Sequence, residues 1–156
     1  MISPELLRRY PIFAGLTMDQ MVALAKTAGE KRIETGQYFF REEEDLQALY
    51  LLLEGAVAIV IEIPDRKKEI VVSTVGPGEI FGWSSLVPPE KSSATAKATT
   101  PCRVITFDSR QMRQVFEEDP RCGYSMMQHI AGVVRDRLND SHIQSLAYLD
   151  ERTGTA

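Results

Sequence analysis

The sequence predicts an α+β fold that is mainly β: an antiparallel sandwich or barrel, with a helix before it and one long helix after it. Three observations carry this. Between about Glu30 and Phe107 short runs rich in apolar and β-branched residues alternate with turn residues, the rhythm of an antiparallel sandwich or barrel and not of βαβ units. Ahead of that stretch the apolar period is helical. Behind it a helical period continues for about 30 residues without an internal proline. A chain of 156 residues suits one domain with a full core, and 44% hydrophobic with 26% charged residues is globular composition.

The elements follow in order. TMDQMVALAKTA, residues 17–28, opens on a threonine able to cap, and Met21, Leu24 and Ala25 fall at helical spacing. Seven or eight strands come next: KRIE, QYFFR, ALYLLL, AVAIVIEI, EIVVSTV, SATAKAT and CRVITF are the clearest runs. SRQMRQVFEE returns to a helical period. Asp119-Pro120 is then a restart signal, a capping side chain followed by proline at the first helical position. From Pro120 to about Leu149 the residues Met127, Ile130, Val134 and Leu138 step by three and four, and Ser145, Leu146 and Leu149 extend the stripe, with Arg135, Asp136 and Arg137 left for solvent or rim. Such a rod is roughly 45 Å long and overhangs a compact domain. A second copy of the same helix would cover the overhang, so a homodimer is expected. The boundaries are 1–118 for the β-roll, 119–151 for the C-terminal helix and 152–156 for a tail.

The stretch GPGEIFGWSSLVPPEKSSATAKA, Gly76 to Ala98, is unlike the strands around it. A glycine-rich turn opening into a short helix offers unpaired backbone N–H groups to an anion. Glu79 would repel a bare phosphate but can accept hydrogen bonds from a ribose hydroxyl, so a nucleotide is suggested. The Gly-x4-Gly-Lys order of a P-loop is absent.

This segment resembles the phosphate-binding cassette of cyclic-nucleotide-binding domains of the catabolite activator type, where a Gly-Glu-Ile/Leu stretch is followed by Arg-Ser/Thr-Ala. YPIFAGLTMDQMVALA, ETGQYFFREEEDLQALYLLLEGAVAIV and SLAYLDERTG are similar to other parts of the same family, so about residues 5–152 are covered. The resemblance implies that the sandwich or barrel is an antiparallel β-roll of jelly-roll type, a double-stranded β-helix of the cyclic-nucleotide-binding kind, and that the long helix is a dimerisation helix that shifts between two arrangements when ligand binds. It implies ligand contacts from Gly78 and Glu79 and from Ile80 and Gly82 in the same segment. It places Ser92 at the arginine position and Ser93 at the hydroxyl position, and it brings Asn139 and Asp140 to the purine across the dimer. Glu43 stands at a turn position usually held by glycine. Serine cannot supply the charge-assisted fork that arginine gives a phosphate, so binding of cyclic AMP is expected to be weak or absent. The ligand is then a cyclic nucleotide, cAMP or cGMP, or another small anion. Family regulators usually continue into a helix-turn-helix domain. The expectation here is a regulatory module either belonging to a transcription regulator or standing alone as a partner-binding dimer.

Other classes are set aside on the residues. Cys102, Cys122, His129 and His142 match no zinc spacing, and EEED lacks the spaced oxygens and glycine of a calcium loop, so no metal is expected. The two cysteines read as reduced thiols. No local catalytic signature is present, and neither catalytic residues nor an enzyme are expected. A net charge of -4 gives no field for nucleic acid binding by this chain. No signal or membrane-spanning run is found, and a cytoplasmic location is expected.

Overall fold

The computed structural model describes residues 2–63, 65 and 67–153. Helix α1 (Pro4–Leu7) is a single turn started by Ser3, whose Oγ accepts the Glu5 N–H. A 3-10 helical turn at Pro11–Phe13 leads to α2 (Met18–Ala25). Thr17 caps α2 as the sequence suggests, and Gln20 completes a reciprocal capping box. Met21, Leu24 and Ala25 are all buried.

Eight strands follow: β1 (Ala28–Ile33), β2 (Tyr38–Phe40), β3 (Ala48–Glu54), β4 (Val57–Ile63), β5 (Lys68–Val75), β6 (Ile80–Phe81), β7 (Thr95–Ala98) and β8 (Cys102–Asp108). They form two four-stranded sheets in the orders β1-β8-β3-β6 and β2-β7-β4-β5, with antiparallel pairing throughout. The continuous apolar run of β3 has a direct cause. Tyr50 and Leu52 join the core between the sheets, while Leu49, Leu51 and Leu53 join a second core beneath the helices. A strand covered on both faces needs no polar alternation. Strand β6 obeys the same rule: Ile80 faces the helical layer and Phe81 faces the inside of the roll. The expected start of β7 at Ser93 moves to Thr95, and Ser92 and Ser93 lie in the loop before it.

Helix α3 (Ser109–Glu118) is capped by Asp108, whose Oδ1 accepts the Gln111 N–H at 2.9 Å. Asp119 then separates it from α4 (Pro120–Thr153); its Oδ1 accepts the Cys122 N–H, and its Oδ2 accepts from Gln20 Nε2 at 3.0 Å. The restart at Asp119-Pro120 is therefore observed, with the capping carboxylate also tying α2 to α4. Cys122, Met126 and Ile130 are buried against the helical-layer core. This corrects the expected stripe: Ile130 lies on the inward face, and the outward apolar residues are Tyr124, Met127, Val134 and Leu138. Farther along, Ile143, Leu146 and Leu149 are exposed. The side chain of Ser145 and the residues 154–156 of the expected tail lie outside the described residues. Both cysteines are free and buried. No helix among the described residues is long and apolar enough to cross a membrane.

Candidate functional site

The glycine-rich turn does not present the open donors expected of it. The Gly78 N–H donates to Leu52 O at 2.8 Å, the Glu79 N–H to Gly76 O at 3.1 Å, and the Gly76 N–H to Glu79 Oε1 at 3.0 Å. Glu79 thus closes its own turn. It is exposed, and with Gly78, Ile80 and Asp140 it borders a cavity of about 290 Å³ between the Pro11–Phe13 turn and α4.

A second left-handed glycine, Gly82 (φ 82°), sits four residues on, where β6 passes into the 3-10 turn Trp83–Leu86. Here the conformation does require glycine: an added Cβ would stand 3.0 Å from both Ala48 O and a Tyr50 ring carbon. The turn is locked by Ser85, whose N–H and Oγ–H both donate to Gly82 O. Gly82, Trp83 and Ser84 face Ser92, Ser93 and Ala94 across a small cavity of about 30 Å³. Behind it an aromatic group fills the roll, with Tyr50 and Phe81 stacked at 4.9 Å and Phe39 edge-on to Phe81. Burial, then the carboxylate of Glu44, pushes the Tyr50 phenol pKa up.

The single pocket expected from the sequence is therefore divided. Gly78, Glu79, Ile80 and Asp140 border the larger cavity, while Gly82, Ser92 and Ser93 border the smaller. The pleat is the reason, since Ile80 and Phe81 between the two groups face opposite sides of the sheet. Asn139 is exposed and borders neither. Ser92 is 2% exposed and its Oγ–H donates to the Arg41 carbonyl, so that hydroxyl is already spent inside the fold. Lys91, one position away, pairs with Asp45 at 3.5 Å.

The residue that joins the two cavities is Arg137, which belongs to neither the cassette nor the expected site. The expected stripe leaves Arg137 for solvent or rim; the structure buries it to 7% exposure. Its Nη2–H donates to Ile80 O at 2.6 Å, and its Cζ lies 5.1 Å from the centre of the Trp83 ring. Nη1 is buried and has no hydrogen-bond partner among the described residues. Burial pulls the guanidinium pKa down, while the carboxylates of Glu79 and Asp140 push it back up. Met126, Ile130, Val133 and Arg137 repeat as four, three and four along the inward face, but the spacing alone does not single out this face, and the charge on Arg137 argues against it.

A further cavity of about 290 Å³ lies near the start of α3, and several of the charged groups around it are engaged by neighbours. Arg113 pairs with Glu90, Asp45 with Lys91, and Asp108 caps α3. Among the described residues no group of three or more metal-ligating side chains occurs.

Residues 30–119 match the family model described as the cyclic nucleotide-binding domain. A curated relative, the CRP-like cAMP-activated global transcriptional regulator of Mycobacterium tuberculosis, is 25% identical over 94% of this chain and 64% of its own length. The chain thus spans less than two thirds of that relative. Among solved structures, a Geobacter metallireducens protein described as cyclic nucleotide-binding is 37% identical with a TM-score of 0.78, over 88% of this chain and 99% of that one. The regulatory domain of Toxoplasma gondii PKA, crystallised with cAMP, is 25% identical with a TM-score of 0.64, over 72% of this chain and 42% of that one. A jelly roll of two antiparallel sheets, a glycine-bounded turn facing the loop before β7, and a matched family model over most of the roll make this chain a member of the cyclic nucleotide-binding domain family.

Proposed function

We propose that this chain is a regulatory ligand-sensing module that pairs with a second copy through α4 and whose cassette has lost its affinity for cyclic AMP. It takes a small anion in place of the nucleotide. The observation that carries the reading is Ser92: it stands where the family motif has arginine, it is buried, and its hydroxyl is engaged by Arg41 O. No charge-assisted fork to a cyclic phosphate is available from that position. A second departure points the same way. Of the two left-handed glycines in this segment, Gly78 and Gly82, only Gly82 borders the cavity shared with Ser92 and Ser93, and a motif registered on Gly82 puts Trp83 where the family has glutamate. The carboxylate that would accept from a ribose hydroxyl is then an indole. Glu79, the carboxylate in the alternative register, closes its own turn on the other side of the sheet.

The relatives support the regulatory class: one is named as a cAMP-activated transcriptional regulator, another as a kinase regulatory domain. Titration calorimetry with cAMP and cGMP tests the reading. The native chain should bind neither tightly, and the double change Trp83→Glu with Ser92→Arg should gain about ten- to a hundredfold for cAMP, the worth of a hydrogen bond to a charged group. Tight cAMP binding by the native chain would sink it. A second reading, a dimer module that takes no ligand at all, draws on the small size of the 30 Å³ cavity. An absence of binding to every anion tried would favour that reading.

A further inference from the structure

The two cavities that meet at Arg137 differ in charge. Glu79, Asp136 and Asp140 border the larger one, whereas no carboxylate borders the smaller. Arg137 makes no ion pair among the described residues, and one of its two terminal nitrogens has no acceptor. A buried cation without a hydrogen-bonded counter-charge is costly, and folded proteins leave very few buried donors unpaired. The carboxylates of the larger cavity moderate this cost through space but do not bond to the guanidinium. An acceptor for Nη1 is therefore the missing component.

We propose that the small cavity is an anion site anchored by Arg137 Nη1, and that it takes the carboxylate of a small organic acid. This deepens the reading of a small-anion sensor and rests on it. Size and shape select the class. About 10 to 15 Å³ of such volume holds one water, so about 30 Å³ admits a group of two to three heavy atoms, the size of a carboxylate, and not a cyclic phosphate with its ribose. The guanidinium lies against the Trp83 ring, and its planar fork suits a planar carboxylate. Ser93 is exposed and Ser84 half-buried, which leaves a polar exit for the remainder of the acid. Arg137 lies on α4, outside the residues 30–119 that match the family model. The positive charge therefore comes from the long helix and not from the roll. Occupancy of the site would tie α4 to the Gly82–Trp83 turn, a link that a cation carried at position 92 would not make.

Trp83 is the only tryptophan of the chain and stands beside the anchoring group, so its fluorescence reads the site directly. The full chain is titrated with sodium acetate and sodium pyruvate at constant ionic strength, and separately with inorganic phosphate and cAMP. A saturable change with the carboxylates is expected. Arg137→Met should weaken it about ten- to a hundredfold and Arg137→Lys should retain part of it. If the methionine variant fails to fold, nitrogen NMR of the unmodified protein gives the second readout: the Arg137 guanidinium resonances should shift with the same midpoint. The absence of a saturable fluorescence change, with those resonances unmoved, would show that water alone satisfies Nη1 and would overturn the proposal. Carboxylate binding that survives Arg137→Met within twofold would overturn it as well. Tight cAMP binding in the parallel titration instead removes the small-anion reading itself, so the two failures are distinguishable.

Discussion

Gly55, at φ 105° between β3 and β4, has no room for any side chain: a Cβ there would stand 2.4 Å from Pro101 O and 2.8 Å from Cys102 Sγ. The first of these is backbone held by β8 and cannot swing away. Gly55→Ala therefore combines left-handed strain with overlap and should cost about 3 kcal/mol or more, read as a lowered urea midpoint at unchanged slope. Glu43 presents the opposite case. It holds φ 65° without being glycine, in the EEED turn, and its N–H donates to Ser92 O. Glu43→Gly relieves the strain but adds freedom to the unfolded chain, so the expected outcome is a change between zero and about 1 kcal/mol of added stability. At this scale the sequence was informative at the Thr17 and Asp119 caps, where the side chain itself bonds the first N–H groups of the helix, whereas the turn at Glu43 was legible only through the family resemblance. The sequence was silent on Gly78 and Gly82. Both are left-handed glycines before an apolar segment, and only the direction of β6 between them decides which one meets Ser92.

Among the elements α4 carries two faces, and the distinction between them was the least legible part of the chain. Steps of three and four link Met127, Ile130, Val134 and Leu138 as readily as they link Met126, Ile130, Val133 and Arg137, and a single helix period cannot say which set looks inward. Packing decides. Met126 and Ile130 touch the helical-layer core, and the outward set is left 36–54% exposed at Met127, Val134 and Leu138. Those three fall at spacings of seven and four, the seam of a two-helix contact. Replacing Val134 and Leu138 together by Glu should turn a dimer into monomers by light scattering at micromolar concentration, because like charges would face one another across the two-fold axis. The inward face is untouched, so the melting curve of the roll should stay cooperative. A monomer mass for the unmodified chain would remove the dimer from the proposed function. Apart from the two-residue β6, which lies in the stretch read as a glycine-rich turn opening into a short helix, the strands were legible, since the apolar runs fall on β1 to β5, β7 and β8. A further exception is the loop at Ser92–Ala94, where the isolated bridge between Asp45 and Lys91 and the bonds of Ser92 to Glu43, Glu44 and Arg41 hold the chain off the sheet.

The whole molecule has different weaknesses at the two ends of the pH scale. Burial, then the Asp119 carboxylate, pushes the Cys122 thiol up to about 11. The unfolded chain releases this proton near pH 8.5 and the folded chain only at about 11, so between these values the unfolded state binds fewer protons and stability falls as pH rises. The Tyr38 phenol, raised by its hydrogen bond to Glu69 and then by burial, adds to the same trend at higher pH. On the acid side the Glu69 carboxylate is lowered by the Tyr38 hydrogen bond, and Asp119 by its bond from Gln20. These depressed carboxylates stabilise the fold above their ordinary range and cease to do so as pH falls through their folded values. Thermal melts from pH 3 to 11 should show a plateau near neutrality that declines on both sides, with part of the alkaline decline removed in Cys122→Ala. The order of the first sheet has another consequence. Strand β8 lies between β1 and β3, so residues 28–33 wait for residues 102–108 before either edge is closed. During synthesis on a ribosome the sheet cannot assemble as its strands emerge one after another. Strands β1 and β3 must stay soluble without their common partner until β8 arrives, and the closing step joins distant parts of the sequence at the slow pace such pairings impose.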